Sequence, residues 1–397
     1  MSAREHDLVL LGATGYTGRL AAAVLARRGA GLRWALAGRD TARLAAVAKE
    51  LAVEVPLLRA DSTDPASMAR LAASTRAVIT TAGPFAVHGD PLVDACVEAG
   101  THTCDITGEV PWVRGVIDRH HERARERGLR IVSFCGYDSV PSDLGCLVLQ
   151  RAVVARHGRP ASRIDCLADP RGGGVSGGTV HSGMRLAAER RTPGVREHLV
   201  HPGALTPGFT PPSRPDPMSV RRVDGVWGAP WLMAGTNGRC VHRTNQLLGT
   251  AWGADFVFEE RMWAGRGLAG WARARALQAA LLGLGLGFAS AAGRALLARF
   301  LPAPGEGPSA ASRRRASLHH HLVAWDGERR LGRLHLSGAM DPGYEATAIF
   351  LVECGLATLE PGLDTAGALT PAAAFGEALV PRLEAEGFRF ELDLEPA

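Results

Sequence analysis

The residues with the plainest chemical content are those of Gly12-Ala13-Thr14-Gly15-Tyr16-Thr17-Gly18, which follow the apolar run Leu8–Leu11 and open a helical stretch. Glycines at this spacing let a backbone turn approach a pyrophosphate, whose charge is favoured at the N-terminus of the following helix. The motif therefore points to dinucleotide binding through Gly12, Thr14, Gly15, Tyr16, Thr17 and Gly18, with a merely structural tight turn as the competing reading. A second apolar run ends at Ala37-Gly38-Arg39-Asp40. An acid closing that strand would take the ribose hydroxyls of NAD, whereas an arginine suits the 2′-phosphate of NADP. Arg39 comes first, so the reading favours NADP(H), and Asp40 is left as a helix cap. Asp61, closing the third run, is either an adenine-side ligand or another cap.

Three more glycine-containing loops follow later strands, where ligands bind in sheets of this kind. They are Thr81-Ala82-Gly83-Pro84-Phe85, Asp105–Glu109 and Gly136–Asp143. Ala82, Gly83 and Pro84 are expected to contact the cofactor. Tyr137 or Asp138 is the candidate proton donor to a substrate atom after hydride delivery; the alternative is that Asp138, Ser139, Ser142 and Asp143 only cap and order the next helix. His88 and His102 are expected near the same edge. His319-His320-His321 reads as a hairpin strand with its middle residue on the opposite face, and a solvated face is favoured there over a metal site.

These loops need a scaffold. Strands are expected at Leu8–Leu11, Arg33–Ala37, Val55–Leu58, Ala77–Thr81, His102–Asp105 and Arg130–Phe134, with helices near 16–28, 41–51, 65–73, 90–99 and 112–127. Six strands with crossover helices predict an α/β fold, a Rossmann-type doubly wound parallel sheet over residues 1–140. Residues 141–397 read as a C-terminal α+β domain. It has a helix at Ser142–Ala155, a strand at Ser162–Leu167, a Pro/Gly-rich loop over 193–217 and a hairpin of Ser317–Trp325 with Arg330–Ser337. A helix at Thr347–Leu359 is able to pack back on the first domain. Ala276–Gly293 is uncharged and flanked by arginines, which leaves three readings: a buried or oligomer-facing helix, a membrane-surface element, or a bilayer span.

Composition excludes some chemistries. The 397 residues carry 45 basic and 40 acidic side chains, a net charge of +5 too mild for a dedicated nucleic-acid binder. Lys49 is the only lysine; a Tyr-x-x-x-Lys dehydrogenase is excluded because Ala45 stands four residues before it. Seven cysteines without CxxC spacing argue for a reducing, cytoplasmic setting.

Taken together, GATGYTGR (Gly12–Arg19), Ala37-Gly38-Arg39, Ala82–Phe85, DITGE (Asp105–Glu109) and GYDSVPSD (Gly136–Asp143) resemble the saccharopine dehydrogenase-like oxidoreductases, and most of all their trans-acting enoyl reductase branch. The similarity continues in Ser176–Thr179, Gly305–Ser309 and Asp341–Tyr344. The resemblance implies NADPH-dependent reduction of a carbon–carbon double bond on an acyl chain held by a partner polyketide synthase, with lipid-surface contact known among eukaryotic relatives. It transfers cofactor positions but no agreed catalytic acid. True saccharopine dehydrogenases use an active-site lysine, and Lys49 on an early helix cannot serve as one. Two other readings stay open: an imine reductase using Arg171 or Arg185 on a carboxylate, and a non-catalytic NADP-binding protein whose nicotinamide face is blocked by Phe85 or Tyr137. Neither a metal nor nucleic acid is expected, and a homo-oligomer is allowed.

Overall fold

The computed structural model describes residues 4–172, 194–212, 218–290, 293–295 and 308–397. They divide into two compact units. One holds the chain up to Val140 together with Gly343–Glu386; the other runs from Pro141 to Pro342 and resumes at Gly387–Ala397. The motif residues Ser176–Thr179, Gly305–Gly307 and Arg185 lie outside the described residues.

In the first unit, strands β1 (His6–Leu11), β2 (Trp34–Gly38), β3 (Leu57–Arg59), β4 (Thr75–Thr80), β5 (His102–Asp105) and β6 (Arg130–Val132) alternate with helices. The helices are α1 (Tyr16–Arg28), α2 (Thr41–Glu50), α3 (Pro65–Ser74), α4 (Phe85–His88), α5 (Asp90–Ala99) and α6 (Val110–Glu126). A seventh strand, β13 (Gly367–Leu369), joins β6, giving the all-parallel order β13-β6-β5-β4-β1-β2-β3. The six-strand expectation is thus short by one, because β13 comes from residues far outside the alternating pattern of the first 140. A parallel sheet is covered on both faces, so its central strands carry apolar runs such as Leu8–Leu11. Every residue of β1 and β2 is buried. One face packs Val9, Leu11 and Val78 against Met68, Leu71, Leu92 and Cys96 of α3 and α5. On the other lies the helix Thr347–Ala357, all of it buried, so close that a Cβ on Gly355 would stand 2.3 Å from Ile79 Cγ2.

The second unit is a mixed sheet of β7 (Arg163–Arg171), β8 (Arg221–Val223), β9 (Val226–Ala229), β10 (Val257–Gly265), β11 (Ser317–Asp326), β12 (Arg329–Gly338) and β14 (Phe388–Leu394), in the order β14-β12-β11-β7-β10-β9-β8. The expected hairpin is β11–β12, turning at Gly327 with φ +58°. Helix α7 (Val140–His157) packs on this sheet through Gly145, where a Cβ would meet Leu322 at 3.2 Å. Of the expected 193–217 loop, Val195–Val200 is helical.

For the apolar segment the structure removes the bilayer span and burial within its own chain, and leaves the oligomer-facing and membrane-surface readings. The segment belongs to the helix Gly267–Ala289, whose Leu282 and Leu286 are 50% and 75% exposed, so it is not buried by its own chain. Among the described residues no helix is long and apolar enough to cross a membrane.

Candidate cofactor and active site

The glycine loop is built as the spacing requires. Gly12 has φ +89°, and a Cβ there would stand 2.8 Å from Thr81 Oγ1. A Cβ on Gly18 would stand 2.1 Å from Gly12 O, so α1 can meet β1 this closely only with glycine at 18. Gly15 donates to Gly12 O at 3.0 Å and is the N-cap of α1, a position with no side-chain cap. Gly15 is exposed, and Thr14, Tyr16 and Thr17 are half-buried. A narrow backbone turn before an uncapped helix is the cradle a pyrophosphate needs.

Beside it, at the carboxyl end of β2, Arg39 is exposed. Asp40 does cap α2, accepting from the backbone N–H groups of Ala42 and Arg43 at 3.0 Å. Arg43, one turn into α2, and Arg59, paired with Gly38 at the end of β3, are exposed around the same strand ends. Neither was singled out by the sequence reading; a second arginine four residues after Arg39 was the available signal. Asp61 accepts from Thr63 N at 3.0 Å and Thr63 Oγ1 at 2.8 Å. Those bonds, with smaller help from Arg39 and His88, hold its carboxyl below the usual range. Asp61 thus orders the turn before α3, while the cap of α3 itself is Asp64.

On the other side of β1 the later loops are bound together. Ala82 is half-buried and Gly83 exposed, and the half-buried Pro84 precedes α4. Buried Glu109 accepts the N–H groups of Phe85 and Ala86 at 3.1 and 3.0 Å, tying the DITGE loop to this one. Asp105, at the carboxyl end of β5, accepts from Thr107 N and Ser133 Oγ, each at 2.9 Å. Burial outweighs these bonds and pushes its carboxyl up to about 7. Cys135 N donates to Asp105 O at 2.8 Å, which sets Gly136–Asp138 beside Asp105. Glu109 and Asp105 are the positioning groups the sequence reading passed over, although it had quoted their motif.

Tyr137 is buried, whereas Asp138 is half-buried, and burial alone raises its carboxyl to about 6. Of the two candidate donors, Asp138 is the residue that is not fully buried, and its carboxyl has the proton affinity of an acid working near neutrality. Ser142 and Asp143 go elsewhere. Inside the second unit Ser142 donates to Glu260 Oε1 at 2.8 Å, and Thr244 donates to Asp143.

Other expectations divide. His102 begins β5 and so lies at the amino edge, where its Nδ1 accepts from Arg130 N at 3.1 Å. Burial, then Arg130 and Arg76, lower it to about 4, so the expectation that it nears substrate fails. His88 ends α4 on the carboxyl side. His320 is buried while His319, His321 and His335 of β12 stack on the other face. Among the described residues no group of three His, Cys, Asp or Glu is arranged to hold a metal ion. Arg171 is tied to Asp169 at 2.7 Å.

Residues 8–132 match the saccharopine dehydrogenase NADP-binding domain. A Mycobacterium tuberculosis protein named as a trans-acting enoyl reductase is 40% identical over 406 residues, covering 97% of this chain and 96% of the relative. Trans-acting enoyl reductases of Mycobacterium bovis and Mycobacterium ulcerans are each 36% identical over 408 residues, covering 97% of both chains. The apo saccharopine dehydrogenase (L-Glu forming) of Saccharomyces cerevisiae superposes with a TM-score of 0.54 at 13% identity, over 98% of this chain and 99% of that one, a likeness of fold alone. With the glycine cradle, the exposed arginine and this full-length similarity together, the chain belongs to the trans-acting enoyl reductases, NADP-dependent oxidoreductases of the saccharopine dehydrogenase-like family.

Proposed function

We propose that the protein reduces the activated carbon–carbon double bond of an enoyl thioester on a polyketide- or lipid-type acyl chain, presented by a partner synthase. When bound, NADPH would supply the hydride that reduces the β-carbon. Gly12, Thr14, Gly15, Tyr16, Thr17 and Gly18 hold the pyrophosphate at the start of α1. Arg39, helped by Arg43, holds the 2′-phosphate, and Asp61 shapes the adenine side through its turn. Ala82, Gly83 and Pro84 border the nicotinamide. Asp138 gives its proton to the α-carbon and leaves as a carboxylate.

The negative charge that builds on the thioester oxygen needs backbone donors. Most on these loops are already committed: Gly83 N to Thr81 O, Cys135 N to Asp105 O, and Ser139 N and Val140 N to Gly136 O. Gly136 N and Asp138 N are the donors assigned to that oxygen.

The observation that carries this reading is Asp138, whose carboxyl burial raises to about 6 in the loop that follows β6. The imine alternative loses Arg171, which is committed to Asp169. The blocked, non-catalytic alternative is disfavoured because Phe85 packs on Trp112, with ring centroids 5.6 Å apart. The test follows NADPH oxidation with enoyl-thioester, imine and carbonyl panels. Turnover confined to enoyl thioesters is expected; turnover of imines alone, or of nothing, defeats the reading. We propose in addition a peripheral contact with lipid through the exposed leucines of Gly267–Ala289.

A further inference from the structure

We infer that Thr347 is a positioning residue for the loop that carries Asp138, a role that rests on the enoyl-reductase reading of that loop. Thr347 lies 210 positions from Tyr137 in sequence, yet its Oγ1 accepts the Tyr137 N–H at 3.1 Å. Its methyl limits the neighbouring residue as well: a Cβ on Gly136 would stand 3.3 Å from Thr347 Cγ2 and 3.6 Å from Thr347 Oγ1. One side chain, 7% exposed, thus grips the residue before Asp138 and abuts the one before that.

The Gly136–Tyr137 peptide unit is held from its other side by bonds to Gly136 O, and Thr347 is the tie that reaches it from a distant element. Ser139 N and Val140 N close on Gly136 O, within the loop itself, and Cys135 N ties only its root to β5. The Tyr137 amide sits between Gly136 N and Asp138 N, the two donors assigned to the thioester oxygen. Gly136 O and the Tyr137 N–H share one planar unit, so the loop's own bonds and the Thr347 bond fix it from two sides. Loss of the Thr347 acceptor leaves that unit held from one side only, which lets the flanking Gly136 and Asp138 shift.

The element that presents Thr347 also has a second contact with the site. Thr347 opens its helix directly after the wide helical turn Pro342–Ala346, a geometry that recurs at functional sites. From this turn Tyr344 meets Tyr16 of the glycine loop edge-on, with ring centroids 4.5 Å apart and planes at 63°. The turn and the first residue of the helix after it therefore touch the glycine loop and the Asp138 loop three residues apart. Thr347 acts on the second of these, so its removal is expected to affect the chemical step and not cofactor binding.

The experiment compares Thr347→Val, which keeps the shape and loses the acceptor, with Thr347→Ser, which keeps the acceptor. Amide exchange of the 136–139 segment, read by mass spectrometry on the full chain, is expected to speed up at least tenfold in the valine variant and to stay near wild type in the serine variant. With an enoyl thioester, kcat is expected to fall about 10- to 100-fold in T347V, in line with the cost of small misplacements. NADPH Kd should stay within about twofold, and T347S should recover most of the rate. Unchanged exchange in T347V, or equal loss of rate in T347V and T347S, overturns the assignment. If wild-type protein reduces no enoyl thioester, the proposed function fails by itself, and the exchange comparison still decides whether Thr347 holds the loop.

Discussion

At the scale of single residues, two charges carry opposite duties. Arg39 is exposed at the end of β2, with no acid in the ribose-binding position, since Asp40 is consumed in capping α2. A charge-assisted contact to phosphate contributes about 1.5–3 kcal/mol. Arg39→Asp is therefore expected to weaken NADPH binding roughly 100-fold by calorimetry and to shift the preference toward NADH; unchanged NADPH affinity would remove Arg39 from the site. In the proposed reaction Asp138 would act through its proton. Its carboxyl is raised by burial to about 6, so the protonated form that donates is depleted as pH rises through that value. The expected kcat profile is flat below about pH 6 and falls about tenfold per unit above it. Asp138→Asn should lower kcat and abolish that limb, while a retained limb would assign the proton to another group. The same sign governs stability: the contribution of neutral Asp138 is fully present below the usual aspartate value and is lost as pH rises through about 6.

At the scale of elements, the helix Thr347–Ala357 shows how a late segment completes an early sheet. Ala is normally the better helix former than Gly by about 1 kcal/mol. At position 355 the new methyl would stand 2.3 Å from Ile79 Cγ2 on β4, and overpacking of this kind costs about 1–3 kcal/mol. Gly355→Ala is thus expected to destabilise the protein by roughly 1–2 kcal/mol in urea unfolding; a neutral or stabilising result would mean that the helix can move away from the sheet. The neighbouring Glu353 is buried between Arg28 of α1 at 2.8 Å and Arg382 at 2.9 Å, which further fixes this helix. The crossover pattern of the first six strands was legible because each strand is a local apolar run followed by helical periodicity. β13 was not, since its three residues gain meaning only beside β6. For the same reason Gly12, Gly15 and Gly18 could be read from spacing, while Thr347 and Glu109 could not: their partners are set by contacts across the fold. His102 was misplaced by one strand length, because its position at the start of β5 puts it at the wrong edge.

At the scale of the whole molecule, the helix Gly267–Ala289 poses the remaining physical problem. Its Ala274 is buried, and Leu277 packs beside Ala229 and Ala264, so one side is held by the second unit. On the other, Leu282 and Leu286 stand in the open, and Leu268 is 79% exposed near its start. Between Arg266 and Gly305 the sequence has five arginines and no acidic residue. In the proposed lipid contact these leucines would leave water at an anionic bilayer and the arginines would meet headgroups. A synthase-bound or membrane-dissolved acyl chain would then be met where it is concentrated. Co-sedimentation with vesicles containing about 30% anionic lipid should retain the protein at low salt, and neutral vesicles should retain much less. The double variant Leu282→Glu with Leu286→Glu should lose vesicle binding while keeping NADPH affinity, because both positions lie far along the chain from the glycine loop and in the other unit. Wild-type protein that ignores anionic vesicles would leave the synthase partner, and not lipid, as the surface that covers these leucines.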